Sequence, residues 1–152
     1  PIPPGVILVT IDVVSLYSSI LQHDAISAVQ NYLDQRSNEQ KESMRTWYLI
    51  ELLKLVLSCN TFEFNEKLYR QLVGIAMATL SSPNIANLDM GRREAFILSH
   101  DNEHTRRIYR KIWKRYIDDT FMMFKGNEKQ LKSSMNWINT LFPSIKFTAS
   151  YI

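Results

Sequence analysis

The sequence predicts an α+β domain in which an antiparallel sheet is covered by helices on one face. Three observations carry that expectation. Strand-like and helix-like stretches are mixed without a regular strand–helix–strand series. Two stretches read as tight hairpins, and the helical stretches each carry one apolar stripe. With 152 residues, the chain is one domain or part of one, long enough to bury a core.

Residues 6–11 are an apolar, β-rich run, expected as a strand buried on both faces with Asp12 at its end. Asp24 is expected to open a helix with Ile26, Val29 and Leu33 on one side. Residues 35–41 read as a polar loop, and 42–58 as a helix with Met44, Trp47, Ile50, Leu53 and Leu57 on its stripe. Residues 61–72 alternate through Phe62, Phe64, Leu68 and Tyr69, with Asn65-Glu66 as the turn of a hairpin. After the small, irregular stretch 74–82, Pro83 starts a helix that runs to Leu98, since the first turn of a helix does not need the missing N–H. Residues 99–105 form a polar loop. Residues 108–124 read as a second hairpin, interrupted at Asp118-Asp119. Asn127 caps a helix with Leu131, Met135, Ile138 and Phe142 on its apolar side; Pro143 ends it, and 145–151 alternate as a last strand.

Composition is that of an ordinary globular chain, 45% hydrophobic and 22% charged, with no low-complexity tract and no internal repeat. A single cysteine, Cys59, excludes an internal disulfide and fits a reducing, intracellular setting. No apolar run is long enough to span a membrane. The net charge of +3 hides an asymmetry: residues 1–105 hold 8 basic against 12 acidic side chains, and residues 106–152 hold 10 against 3. A basic segment beside an acidic one suits a protein that binds a polyanion and keeps carboxylates for metal.

The carboxylates carry the chemistry. Asp12 follows Val-Ile-Leu-Val-Thr-Ile, where a charge needs a partner or a metal; the ordinary alternative is a capping or turn aspartate. Asp118 and Asp119 stand side by side between Tyr116-Ile117 and Thr120-Phe121-Met122-Met123-Phe124, where two adjacent charges repel and no glycine follows to favour a simple turn. Carboxylates converging from two strands suit Mg²⁺, which takes few protein oxygens and leaves the rest to water and phosphate.

Three motifs in order resemble a known family. Asp12-Val13-Val14-Ser15-Leu16-Tyr17 resembles motif A of reverse transcriptases, residues 74–88 resemble motif B, and Tyr116-Ile117-Asp118-Asp119 resembles motif C. The wording around them, including Phe62-Glu63-Phe64-Asn65 and Ile145-Lys146-Phe147-Thr148, is similar to Penelope-like retroelements over nearly the whole chain. The resemblance implies a polymerase palm: an RNA-directed DNA polymerase that transfers nucleotides to a primer 3′ end with two Mg²⁺ ions, or Mn²⁺ in their place. It implies that Asp12 and Asp118 are the bridging metal ligands, with the Val13 carbonyl assisting and Asp119 adding charge. Tyr17 would be the steric gate against a ribose 2′-hydroxyl, Met77 and Ala78 would shape the nucleotide site, and Lys146 would meet the triphosphate. Tyr116 would pack near the primer terminus. A core tyrosine is the alternative for Tyr17, and a solvated strand lysine for Lys146.

Partners implied are an RNA template, a DNA primer and deoxynucleoside triphosphates, with no membrane, in the nucleus. The chain is expected to lack the fingers, the thumb and a GIY-YIG endonuclease domain of a longer protein, and so to be inactive as an isolated piece. Two departures stand out: Ala78 where the family has glycine, and Glu66 where an Asn-Gly turn is usual. Residues 106–115 hold six basic side chains among aromatics; Arg110, Lys111, Lys114 and Arg115 are candidates for nucleic-acid phosphates, with a solvated loop as the alternative. His100 and His104 read as members of a polar loop, not half of a zinc site. Two rivals remain open at this level. A viral RNA-dependent RNA polymerase palm would carry Gly-Asp-Asp and a smaller gate. A decayed, non-catalytic relic that only binds nucleic acid is compatible with Ala78.

Overall fold

The computed structural model describes residues 2–77 and 79–152; Ala78 lies outside the described residues. The elements run β1 (Val6–Val14), α1 (Leu16–Ser19), α2 (Gln22–Asp34), α3 (Asn38–Ser43), α4 (Thr46–Ser58), β2 (Thr61–Phe64), β3 (Lys67–Arg70), α5 (Ser82–Ser99), β4 (Lys114–Tyr116), β5 (Asp119–Lys125), α6 (Glu128–Leu141) and β6 (Lys146–Tyr151). The chain forms two compact units, one of residues 1–16 with 90–152 and one of residues 17–89. The expected α+β class with an antiparallel sheet is what the structure has. No helix among the described residues is long and apolar enough to cross a membrane.

The first unit holds a four-stranded antiparallel sheet in the order β4-β5-β1-β6. Alternation decides its two faces. Val9, Ile11 and Val13 of β1, Met122 and Phe124 of β5 and Phe147 of β6 are buried, whereas Thr10, Asp12 and Val14 are exposed. The expectation of a strand buried on both faces is therefore corrected to one covered face and one open face. Helix α6 supplies Leu131, Met135 and Ile138 to the core, on the stripe its sequence foretells. It starts at a capping box: the Asn127 side chain accepts from the Gln130 amide at 3.0 Å, and the Gln130 side chain accepts from the Asn127 amide at 3.0 Å. Its Asn139 clamps β6 by bonding both the amide and the carbonyl of Phe147, at 2.8 and 3.0 Å.

Between α5 and β4 the expected strand over 108–113 is absent. Thr105–Arg107 and Arg110–Ile112 are short 3₁₀ turns, and an isolated bridge, Ile108 to Phe124, joins this stretch to the sheet. Packing of the buried Ile108 and Thr105 overrides local β propensity here.

The second unit packs α2 against α4 through Ala25, Ala28, Ile50 and Leu57. The long helix expected over 42–58 is two helices. Ser37 and Gln40 form a capping box that turns the expected polar loop into α3, which ends at Met44 in extended backbone. Arg36 ties the break down, donating to the carbonyls of Leu33 (3.1 Å) and Met44 (3.0 Å) and to the Thr46 hydroxyl (3.2 Å). Met44 and Trp47 are consequently exposed rather than core residues.

The β2–β3 hairpin turns on Asn65 and Glu66, with φ of 51° and 61°. Positive φ at both central residues is the type I′ pattern that favours Asn-Gly, so Glu66 stands in a conformation disfavoured for a side chain. Glu66→Gly is expected to stabilise the hairpin by about 1 kcal/mol, slowing amide exchange of residues 61–70 by about fivefold. Exchange at the wild-type rate would show that Glu66 carries no strain.

Candidate active site

The sheet's open face gathers Asp12, Tyr116, Asp119 and Lys146 among the residues that the motifs single out. β1 pairs with β6 so that Asp12 faces Thr148 and Val14 faces Lys146. On the other side β1 pairs with β5 up to Ile11 and Thr120. Carried one step further, that register sets Asp12 opposite Asp119. Asp119 in turn pairs with Tyr116 of β4. Tyr116, Asp119, Asp12 and Thr148 thus make one row across all four strands. Side chains directly opposite on an antiparallel pair have Cβ atoms about 4.5–5.5 Å apart, and like charges there repel. Lys114 and Lys146 are exposed on the same face, one pair away.

Asp12 was expected at a strand end and lies instead within β1, because β6 pairs with the strand as far as Val14. Its main-chain carbonyl accepts from the Thr148 hydroxyl at 3.4 Å. The Val13 side chain is buried opposite Phe147. Asp118 occupies the two-residue turn Ile117-Asp118 between β4 and β5 and is half-buried. Ile117 has φ of 55°, positive φ at the first central residue, as in a type II′ turn. A β-branched residue there is a genuine outlier, and such strain concentrates at functional sites.

No group of three or more His, Cys, Asp and Glu side chains forms a ready-made metal cage among the described residues. The donors nonetheless fit Mg²⁺. Two carboxylates repel across an exposed row, a third stands in the adjoining turn, and Mg²⁺ is ordinarily held by one or two carboxylates together with water and substrate phosphate. Asp12 and Asp118, with Asp119 beside them, are the residues that would hold it.

The basic segment is divided in its roles. Arg110 and Lys111 are exposed on the second 3₁₀ turn, and Arg110 donates to the His100 carbonyl at 3.3 Å. Arg106 makes a two-pronged bond to Asp101, at 2.7 and 2.9 Å, and that hydrogen bond holds the Asp101 carboxyl below the usual carboxylate range. Arg115 stands apart from the surface cations. Its side chain is 12% exposed and is turned toward Glu94 of α5, with an ion-pair distance of 2.9 Å. Burial this deep does not suit the phosphate contact expected of it. His104 stacks on Trp137 at 5.2 Å and meets the Ser134 hydroxyl at 3.1 Å, a packed loop histidine.

Tyr17 and Met77 belong to the second unit. Tyr17 is half-buried, Met77 is 76% exposed, and the Tyr17 carbonyl accepts from the Ile75 amide at 2.8 Å. Gly74, with φ of 81°, lies so close to Tyr17 and Ser18 that an added Cβ would stand 2.6 Å from the Ser18 Cα. The tail of the first motif and the head of the second are thereby joined backbone to backbone. Glu94 and Thr148 were not foreseen. Thr148 was legible from its alternation with Lys146, whereas nothing near Glu94 in the chain marks it.

The class that this fold defines is an α+β domain built on an antiparallel sheet. Solved chains of telomerase share this fold. Apo telomerase from Candida tropicalis aligns with 99% of this chain at a TM-score of 0.70 and 11% identity, and the same telomerase truncated from its C-terminal domain aligns with 97% at 0.59 and 12%. The chain spans 29% and 31% of those chains, less than a third of either. No protein-family description and no curated protein matches the sequence.

Proposed function

We propose that this chain is the palm of an RNA-directed DNA polymerase of the Penelope-like retroelement type, acting in the nucleus as part of a longer protein. The observation that carries the reading is the row Tyr116–Asp119–Asp12–Thr148 on the open face, with Asp118 in the turn at its edge. Two facing carboxylates on a sheet cost stability unless a cation neutralises them, and the motif order A, B, C supplies the reaction in which such cations act.

In this reading Asp12 and Asp118 would hold two Mg²⁺ ions, the Val13 carbonyl would assist and Asp119 would contribute negative charge. Mg²⁺ bound there would supply electrostatic stabilisation of the charge that develops during phosphoryl transfer. The chain's own residues do the positioning. Lys146 meets the triphosphate, Tyr116 packs against the primer terminus, and the exposed Arg110, Lys111 and Lys114 take template–primer phosphates. The motif resemblance gives Met77 and Ala78 the shaping of the nucleotide site. Tyr17 excludes the 2′-hydroxyl of a ribonucleotide by a clash.

The test uses the complete protein with an RNA template, a DNA primer and deoxynucleotides. Incorporation that requires Mg²⁺ or Mn²⁺ is the expected result. Tyr17→Val should raise ribonucleotide use relative to deoxynucleotide use by roughly ten- to a hundredfold, the range open to a pocket that discriminates by shape. An unchanged ratio would return Tyr17 to a packing role, and a complete protein with no templated synthesis would sink the reading.

A further inference from the structure

Arg115 lies in β4 between Lys114 and Tyr116, whose side chains take the open face. Alternation sends Arg115 to the covered face, where its side chain is 12% exposed and that of Glu94 is 17% exposed. Charges so placed must be matched. The guanidinium approaches the Glu94 carboxylate at 2.9 Å, and the Trp113 indole N–H donates to the same carboxylate oxygen at 2.7 Å. From the other side of the guanidinium, Nη1 donates to the main-chain carbonyl of Ile117 at 3.0 Å. That carbonyl belongs to the peptide plane joining Ile117 to Asp118. Fixing it fixes the plane from which Asp118 hangs.

The turn needs such a fixing. Ile117 at φ of 55° stands in a region costly for a β-branched residue, and a residue in that state persists only where its surroundings impose it. A surface arginine meant for phosphate would not require a buried glutamate and an indole to aim it.

We infer that Glu94 and Arg115 form a positioning pair that holds the strained Ile117-Asp118 turn and thereby sets where the Asp118 carboxylate stands for metal. The inference rests on the polymerase reading for the metal, and on the contacts alone for the turn. Glu94 acts through Arg115, and Arg115 through the backbone; neither touches substrate.

Two measurements on the complete protein separate these parts. Hydrogen exchange of the peptide covering 116–120 reads the turn, and Mn²⁺ binding followed by electron paramagnetic resonance reads the metal. Arg115→Gln and the isosteric Glu94→Gln should both speed exchange of the turn. Both should weaken Mn²⁺ binding by roughly ten- to a hundredfold, the range for residues that orient a metal's ligands, with the KM for deoxynucleotide little moved and kcat lowered. Arg115→Lys keeps the charge beside Glu94 but lacks the second nitrogen that reaches Ile117, so it should rescue thermal stability more than Mn²⁺ affinity. Ile117→Gly removes the strain, and adding it to Arg115→Gln should recover part of the lost affinity. Wild-type exchange in both single variants would overturn the pair as a brace. Faster exchange with unchanged Mn²⁺ binding would overturn its role in setting Asp118. Equal Mn²⁺ binding by wild type and Asp118→Ala would instead remove the polymerase reading, and with it the metal half of the inference.

Discussion

Asp12→Ala and Asp118→Ala should each lower primer extension by the complete protein by at least about a thousandfold, equivalent to ~4 kcal/mol of lost transition-state stabilisation. Folding should survive. Asp12 faces Asp119 across β1 and β5, so removing one charge relieves a repulsion and should leave thermal unfolding unchanged or raised by a few tenths of a kcal/mol. Loss of activity with retained or improved stability is the signature of a group kept for chemistry at a cost to the fold. Asp119→Asn should reduce activity less than Asp118→Ala while giving the same small gain in stability. Steady-state incorporation and thermal melts on the three variants check both halves. Near-normal turnover by Asp118→Ala would refute the metal assignment.

Gly74→Ala should be the most damaging single-methyl change to the second unit. Two costs combine: φ of 81° is unfavourable for alanine, and the new Cβ would stand 2.6 Å from the Ser18 Cα, 2.8 Å from the Ser18 oxygen and 2.9 Å from the Tyr17 oxygen. Those are backbone atoms, held in place by the Ile75–Tyr17 hydrogen bond, so they cannot swing aside as a side-chain tip would. The expected loss is about 2–5 kcal/mol. Gly5→Ala supplies the control. Gly5 has φ of 74° with nothing within 4 Å of an added Cβ, so it should lose only the conformational part, about 1–2 kcal/mol. Denaturant midpoints at constant m-value give the comparison. Equal losses at the two positions would show that the 74 segment moves away from Tyr17 and Ser18 easily. In the full-length protein the same substitution should also impair nucleotide incorporation, since it strains the backbone between the first two motifs.

Much of this architecture is legible in local sequence, for a local reason. The Asn127 cap, Pro83 at the start of α5, the Asn65-Glu66 turn and the stripe on α6 all depend on residues within a few positions of one another. A side-chain period or a cap reports such neighbours directly. Asp118-Asp119 stands out in the same way, because adjacent carboxylates in an apolar hairpin conflict with their own surroundings.

Other features depended on partners far away in the chain. β1 runs through Asp12 to Val14 only because β6 pairs with it there, and Thr148 meets Asp12 across 136 positions. The placement of Asp119, rather than Asp118, opposite Asp12 follows from a register that a shift of one residue would invert. Propensity alone assigned 108–113 to a strand, and packing made it two short 3₁₀ turns. Arg115 read as one more cation in a basic run; alternation in β4 turns it to the covered face, where Glu94 of α5 meets it, and its sequence neighbours carry no mark of a carboxylate some twenty positions earlier. Local sequence therefore marked which residues are candidates for the chemistry. The tertiary structure decided which of them face each other, because strand register and ion pairing are set by contacts that no local pattern encodes.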